Sequence, residues 1–372
     1  MHNKVREPLF HIVKRDTLPW YQAWGIRAIA IVLALLLCAL ITTLCTHLNP
    51  LKVFGSMFSG AFGSPRKIWI LGQNLAILLC ISLAVTPAFK MRFWNIGAEG
   101  QVLAGGLAAA ACMICLGDKV PNGLLIVLIV IAGIAAGAVW AVIPAIFKAK
   151  WNTNETLFTL MMNYIAIQLT SFAVSKWENP PGSNSIGTIN SKGDVKYVGW
   201  IGNMFSDGYN KDFMWTVIIV LVLAALVYLY LKYTKHGYEI AVVGESQRTA
   251  SYAGIKVERV IVRTMILSGA ICGLIGLLLT AGTDHTLTTT IVGGRGFTAV
   301  MVSWMAKFNP IMMIFTSLLI VVLSRGASEI SSVFSLNHSF ADILTGIILF
   351  FIIGSEFFIS YKVSLRKSKK EA

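Results

Sequence analysis

Three polar clusters interrupt the apolar stretches of this sequence, and the first is the densest. The run Phe93-Trp94-Asn95-Ile96-Gly97-Ala98-Glu99-Gly100-Gln101 brings two amides, a carboxylate and two glycines to the start of one apolar stretch. Glycines allow the backbone to leave helical geometry, and the freed backbone amides can then hydrogen-bond a ligand, while Trp94 could stack on a ring. Alternatively, Glu99 caps or neutralises the N-terminus of a helix.

The second cluster runs from Asn154-Glu155-Thr156 to Met161-Met162-Asn163-Tyr164. Asn154 has the short polar side chain of a helix N-cap, and Glu155 suits a first helical turn, so we interpret this pair as structural. Asn163 lies within an apolar stretch, where an unpaired amide is costly. We therefore expect Asn163 to bond either a substrate or a neighbouring helix.

The third cluster is Gly293-Gly294-Arg295-Gly296-Phe297, and it closely follows Asp284 and His285. Three glycines and an arginine at the start of a short apolar stretch are typical of a broken helix. Broken helices of this kind form binding sites in membrane transporters. We therefore treat this cluster as a second candidate site.

The helices that carry these clusters are expected to lie in a membrane. Hydrophobic residues make up 56% of the 372 residues, charged residues make up 13%, and the mean hydropathy is +0.72. A typical soluble domain carries about 25% charged residues, so this chain has too few charges to cover a soluble surface. We predict an all-α polytopic membrane protein and exclude disordered, fibrous and disulfide-rich secreted classes. The six cysteines lie in apolar runs and are interpreted as small hydrophobic residues.

Ten stretches are candidate membrane spans, of which the eighth and ninth are short. They are residues 28–46, 68–89, 96–116, 123–147, 156–175, 213–231, 264–281, 296–306, 310–324 and 343–361. This division gives an N-terminal lead over 1–27, a transmembrane domain over 28–361 and a basic tail over 362–372. Two long connections remain, an irregular loop over 177–212 and a loop over 232–263. The first span is expected to remain as an uncleaved anchor.

The distribution of lysine and arginine predicts the orientation. If the N-terminus is cytoplasmic and the spans alternate, 21 of the 31 basic residues fall in cytoplasmic segments. The net charge of +14 then reflects the positive-inside bias, and no nucleic-acid partner is expected. We therefore expect cytoplasmic termini, a cytoplasmic loop over 232–263 and an external loop over 177–212. The glycine-rich starts at Asn95 and Gly293 then open spans of opposite direction, which indicates an inverted repeat.

The sequence lacks the motifs of an enzyme or a motor. It contains no Gly-x-x-x-x-Gly-Lys-[Ser/Thr] loop for nucleotide phosphates and no His-Glu-x-x-His or Cys/His metal motif. We therefore expect no catalytic site, no metal and no cofactor in this chain. A pore without its own motor either uses a gradient or depends on a partner.

The loop over 232–263 favours a partner. Ser246 can N-cap a short helix, and Gly254 can end it in the left-handed conformation. Between them, Ala250 and Ala253 lie one turn apart on a small flat face, and Tyr252 provides a large anchor. Such a helix suits a groove on a partner protein, although a solvated loop with a chance helix has the same features.

Three stretches resemble the permease subunits of bacterial ABC importers: Asn95 to Gln101, Gly244 to Ile255 and Gly296 to Pro310. The resemblance extends over residues 28–361 and is to the branched-chain amino acid, ribose and nucleoside permease family. Within that family, Asn95 to Gln101 is most similar to nucleoside permeases that work with a basic-membrane-protein-type lipoprotein. The resemblance implies a type II-like importer fold in the bacterial cell membrane.

The same resemblance implies partners and residue roles. An ATP-binding subunit would carry ATP and Mg²⁺, an extracellular lipoprotein would bind the substrate, and a second permease, commonly a different chain, would complete the importer. Residues expected to couple to the ATP-binding subunit are Gly244, Ser246, Ala250, Tyr252, Ala253 and Gly254. Residues expected along the substrate path are Trp94, Asn95, Glu99, Asn163, Gly296 and Phe297.

Two other functions remain open from the sequence. The first is import of ribose or another simple sugar by the same kind of complex, because acidic and amide pairs suit sugar hydroxyls. The second is gradient-driven secondary transport by this chain alone. Aromatic residues beside Asn95 favour a nucleoside over a sugar. Separately, Thr298, Ala299 and Met301 stand where the family commonly has a glycine-rich run after Gly-Phe.

Overall fold

The computed structural model describes residues 10–15, 19–191, 196–201 and 212–365. Its helices are α1 (Trp20–Thr46), α2 (Pro50–Phe62), α3 (Pro65–Lys90), α4 (Ala98–Leu116), α5 (Asn122–Trp151), α6 (Glu155–Trp177), α7 (Asp212–Tyr233), α8 (Lys235–Glu245), α9 (Gln247–Tyr252), α10 (Val257–Leu277), α11 (Arg295–Met305), α12 (Pro310–Val333) and α13 (His338–Ser360). A π-helical turn over Leu278–Thr283 continues α10, and strands β1 (Phe10–Lys14) and β2 (Tyr361–Leu365) pair antiparallel.

Nine helices in the described residues are long and apolar enough to cross a membrane, namely α1, α3, α4, α5, α6, α7, α10, α12 and α13. This result confirms the all-α membrane class and the prediction of about ten spans. The predicted span over 296–306 is instead α11, which has 11 residues. A helix of that length is about 16 Å long and cannot alone cross a hydrocarbon core of about 30 Å. Helix α2 was not predicted.

The described residues form two compact units, one over 68–321 and the other over the segments up to 67 and from 322. In the second of these units, α1 and α13 run antiparallel, with Arg27 Nη2 2.5 Å from Glu356 Oε1. Strand β2 occupies the start of the predicted basic tail, whose residues 366–372 lie outside the described part. Residues 1–9 and 16–18 of the predicted lead also lie outside it.

In the unit over 68–321, α4, α5 and α10 pack closely through glycines. A β-carbon at Gly137 would overlap the backbone of Gly269 and Gly273, and one at Gly105 would overlap Gly273. Helices in a membrane gain little from hydrophobic burial against each other, so close backbone contact carries more of the stability. These glycines therefore allow α4, α5 and α10 to approach one another closely.

The loop after α6 contains no helix or strand in its described residues, and residues 192–195 and 202–211 lie outside them. The described part is tied to the end of the π-helical turn. Trp200 stacks on His285 with ring centroids 3.6 Å apart, and the Ile189 N–H donates to the His285 carbonyl at 2.8 Å. The loop is therefore packed against its own chain at this point.

Candidate functional site

Glu99 joins the first and third polar clusters. It lies in the first turn of α4, and its Oε1 accepts the Gly294 N–H at 2.9 Å while its Oε2 accepts the Gly296 N–H at 2.8 Å. Gly294 has φ of 72°, a left-handed conformation that places both N–H groups at the start of α11 toward the carboxylate. The sequence predicted each cluster separately, and the structure brings them into contact.

A carboxylate suits this position because two helix N-termini meet there. Each helix N-terminus carries a partial charge of roughly +0.5, so the two together are balanced by about one negative charge. Glu99 is 6% exposed, and a β-carbon at Gly296 would lie 2.5 Å from the Glu99 backbone nitrogen. The structure therefore gives Glu99 the helix-neutralising role, for α11 as well as for its own helix. We call this contact the Glu99 clamp.

Arg295 is held to one side of the clamp. Its Nη2 donates to Asn74 Oδ1 on α3 at 2.7 Å. Since Arg295 is the first residue of α11, this bond links the start of the short helix to α3 as well as to α4. Two helices, α3 and α4, thereby fix the N-terminus of α11.

Asn163 bonds a neighbouring helix. Its Oδ1 accepts the Gly100 N–H at 2.8 Å, and its Nδ2 donates to the Ile96 carbonyl at 2.9 Å. Asn154 caps α6 by accepting the Thr156 and Leu157 N–H groups, which confirms its predicted structural role. Of the two partners expected for Asn163, the helix-side partner is the one observed.

Asn95 is fully buried and makes a second internal link. Its Nδ2 donates to Ser268 Oγ on α10 at 3.1 Å, while its Oδ1 accepts the Gly97 N–H at 3.0 Å and Gln101 Nε2 at 3.2 Å. The buried amides therefore hold the non-helical segment before α4 against α6 and α10. This arrangement satisfies polar groups that would otherwise be costly inside apolar packing.

Exposed aromatic side chains lie beside this buried network. Trp94 stacks on Trp304 of α11 with ring centroids 5.2 Å apart, and Phe89 and Phe308 pack around them. Trp94 is 42% exposed and Trp304 is 47% exposed. The structure thus leaves part of a stacked aromatic pair open to a ligand.

The exposed face of α11 extends this aromatic surface. Phe297, Met301 and Trp304 are exposed and lie four and three residues apart, the spacing of one helix face. Sequence reasoning selected Phe297 but missed Trp304. The same spacing was visible in the sequence and would have found Trp304, had the face of α11 been followed beyond its first turn.

The predicted coupling helix forms as α9. Ser246 Oγ accepts the Thr249 N–H at 3.2 Å, and Gly254 has φ of 78°, so the predicted cap and left-handed end are confirmed. Tyr252 is 92% exposed, and Ala253 is exposed. Ala250 is fully buried, so the expectation that Ala250 and Ala253 share an open flat face is wrong. The buried side of this one-turn helix packs on its own chain, and Ala250 belongs to that side.

Gly244, near the end of α8, packs against the end of α3. A β-carbon at Gly244 would overlap the Lys90 carbonyl oxygen and approach the Met91 Cα. Lys90 ends α3 and lies four residues before Trp94. Gly244 lies in α8, a helix that was not predicted, and its contact with Lys90 could not be read from the sequence. Among the described residues, no three metal-ligand side chains come together.

The fold and the site define a polytopic membrane protein in which Glu99 and Asn74 hold the N-terminal end of the short helix α11. Residues 71–353 match the family model described as branched-chain amino acid transport system, permease component. The chain therefore belongs to this family of transport permeases.

Several characterised permeases are similar to the chain over most of its length. It is 29% identical to a nucleoside ABC transporter permease of Lactococcus lactis, over 87% of this chain and 89% of that protein. It is 28% identical to a guanosine ABC transporter permease of Bacillus subtilis, over 88% and 92% respectively. It is 26% identical to a glucose ABC transporter permease of Haloferax volcanii, over 94% and 92%.

Proposed function

We propose that this chain is the membrane-spanning subunit of an ATP-driven importer for nucleosides. The observation that carries the proposal is the family match over residues 71–353. Similarity to nucleoside and guanosine permeases over most of both chains favours this substrate class. The glucose permease of similar identity keeps simple sugars as the second candidate.

The exposed aromatic pair favours a nucleoside over a sugar. A nucleobase offers a flat π-face that stacks on Trp or Phe, and such stacking is worth about 1–3 kcal/mol per base. Trp94 and Phe297 would contact the base through their exposed faces. Asn95, Glu99, Asn163 and Gly296 would shape the path by holding the backbone, since their polar groups bond the protein itself.

ATP hydrolysis would take place on a separate ATP-binding subunit with Mg²⁺. Tyr252 and Ala253 would contact this subunit. Ser246 and Gly254 would define the ends of α9, and the buried Ala250 would pack α9 against its own chain. Movement of α8 and α9 would reach the α3–α4 connection through Gly244, which lies against Lys90. ATP would shift access across the membrane by favouring one state of the complex.

The complete importer would also contain a second permease, expected to be a different chain, and an extracellular substrate-binding lipoprotein. The lipoprotein would supply substrate affinity, so the permease itself would bind weakly and release readily. Membrane lipid surrounds the exposed helix faces. No nucleic-acid partner and no cofactor within this chain are proposed.

Both chain ends would lie in the cytoplasm. The antiparallel pairing of β1 with β2 supports this, because it joins the segment before α1 to the segment after α13 and so favours both on one side of the membrane. An even number of crossings is then needed, although only nine long helices are described. We infer that the stretch after His285 together with α11 makes the tenth crossing. The positive-inside bias then assigns the ends to the cytoplasm.

Transport by the reconstituted complex tests this proposal. The liposomes contain this chain, its partner permease and the ATP-binding subunit, and the lipoprotein is added. They should take up labelled guanosine or uridine only when ATP is present on the side of the membrane that carries the ATP-binding subunit. Excess unlabelled nucleoside should compete, whereas ribose and glucose should not. If excess unlabelled nucleoside does not reduce uptake, the nucleoside assignment is refuted. If this chain alone takes up substrate with an ion gradient, the ATP-driven mechanism is refuted.

A further inference from the structure

A basic pocket lies beside the coupling helix, and its charged side chains have no role in the transport scheme above. It is a cavity of about 380 Å³ between α8 and the start of α10. Its charged lining residues are Lys235, Glu239, Lys256, Arg259 and Arg263. Four cations against one carboxylate give the lining a formal charge of +3.

The one carboxylate in the pocket is already paired. Glu239 Oε2 lies 2.9 Å from Arg263 Nη2, so it neutralises one of the four cations. Lys235, Lys256 and Arg259 are exposed, and no ion pair is found for them among the residues that the structure describes. The pocket therefore presents three positive charges with no internal counter-ion in that part of the chain.

Backbone geometry adds to the positive potential. Lys256 is the N-cap residue of α10 and makes no side-chain capping bond, and Gly254 just before it has φ of 78°. Lys256, Arg259 and Arg263 are spaced three and four residues apart, so they share one face of the helix. A helix N-terminus combined with basic side chains on one face is suited to a phosphate group.

The pocket lies at the ends of two candidate membrane spans. The α7 span ends at Tyr233, two residues before Lys235, and the α10 span begins at Val257, one residue after Lys256. The pocket also has apolar walls from Ile255 and the buried Val260. Basic pockets next to membrane spans bind the headgroups of anionic lipids. A binding site for a soluble carboxylate or phosphate would have no reason to lie next to membrane spans, whereas a lipid site would.

We propose that this pocket binds the phosphate of an anionic membrane phospholipid, with Lys235, Lys256 and Arg259 contacting the headgroup. Since Ala253 and Gly254 also line the pocket, the bound headgroup supports the end of the coupling helix. That consequence for coupling rests on the proposed function, whereas lipid binding itself does not.

Lipid binding by the full chain tests the proposal without any partner or substrate. The purified protein in neutral detergent is titrated with phosphatidylglycerol or phosphatidylcholine, and bound lipid is counted by native mass spectrometry. The test variant is Lys256→Gln with Arg259→Gln. The matched control is Lys232→Gln, which removes a cation at the same end of α7 that does not line the pocket. Melting temperatures establish that both variants fold.

The wild type should bind phosphatidylglycerol more tightly than phosphatidylcholine. Each basic side chain near an anionic headgroup contributes about fivefold in affinity, so the double variant should bind phosphatidylglycerol about 25-fold more weakly. The control should match the wild type. Affinity of the double variant within twofold of wild type, or equal binding of the two lipids, overturns the proposal. Displacement of the lipid by an equal concentration of inorganic phosphate would identify a soluble-anion site and overturn the lipid assignment.

Discussion

Replacing Glu99 by Gln tests whether the carboxylate fixes α11 on α4. The substitution keeps the size of the side chain and removes its charge. The carboxylate accepts two backbone N–H groups, at 2.9 and 2.8 Å. A Gln side chain has one acceptor oxygen, so its amide group must face the second N–H, and two donors then oppose each other.

The expected cost follows from these two bonds. Hydrogen bonds to a charged group contribute about 1.5–3 kcal/mol, and neutral ones about 1 kcal/mol. Glu99→Gln weakens one bond to the neutral value and leaves a buried N–H unpaired, which together cost about 2–4 kcal/mol. Scaled to 372 residues with the entropy of unfolding of soluble domains, this loss lowers the melting temperature by about 3–5 °C.

The melting temperature of the purified permease in detergent measures the effect. Glu245→Gln is the matched control, because Glu245 is exposed near the end of α8 and changes the net charge equally. Gly296→Ala disturbs the same contact from the α11 side, since its β-carbon would meet Glu99. Combined with Glu99→Gln it should cost less than the sum of the two single changes. A Glu99→Gln protein that melts within 1 °C of the control, on the order of measurement error, would refute the clamp.

Three further predictions concern α8, α9 and the loop after α6. Gly244→Ala should destabilise the protein by about 1–3 kcal/mol through overlap with Lys90, whereas Gly72→Ala, where a β-carbon meets nothing within 4 Å, should leave the melting temperature unchanged. Tyr252→Ala should weaken the affinity for the ATP-binding subunit about tenfold, measured by pull-down titration, without changing the melting temperature. Burial lowers the pKa of His285 to about 4, from an ordinary value of about 6.5. Packing of the loop should therefore weaken as the pH falls from about 6.5 toward 4, seen as faster proteolysis of residues 177–212, and His285→Asn should remove this dependence.

Much of the helix order was predictable because each span is a long apolar run. The capping of α6 by Asn154 and of α9 by Ser246 was also predictable, since both depend on residues within one turn. The bounds of α11 were predicted to within one residue, but this segment was counted as a membrane span although 11 residues are too few to cross alone. Its boundary is set by the left-handed Gly294 and by the carboxylate of Glu99.

The partners of the polar residues could not be predicted for a similar reason. Glu99 and Gly296 are separated by nearly two hundred positions, and no local pattern links them. A single sequence indicates that a buried amide such as Asn163 requires a partner, but several helices could provide it. Burial of Ala250 was missed because a one-turn helix of small residues does not show which side faces the protein.

The α3–α4 connection is where the coupling segment and the aromatic surface meet. Gly244 approaches the last residue of α3, Lys90, and the first residue of the connection, Met91, while Trp94 in the middle of the connection stacks on Trp304 of α11. A displacement applied at Gly244 can therefore reach Trp94 through four residues of backbone. It moves α11 together with α4 only while the Glu99 clamp holds their N-termini. Glu99→Gln should accordingly uncouple ATP hydrolysis from nucleoside uptake even at temperatures where the variant remains folded, and a variant with an unchanged ratio of nucleoside to ATP would contradict this route.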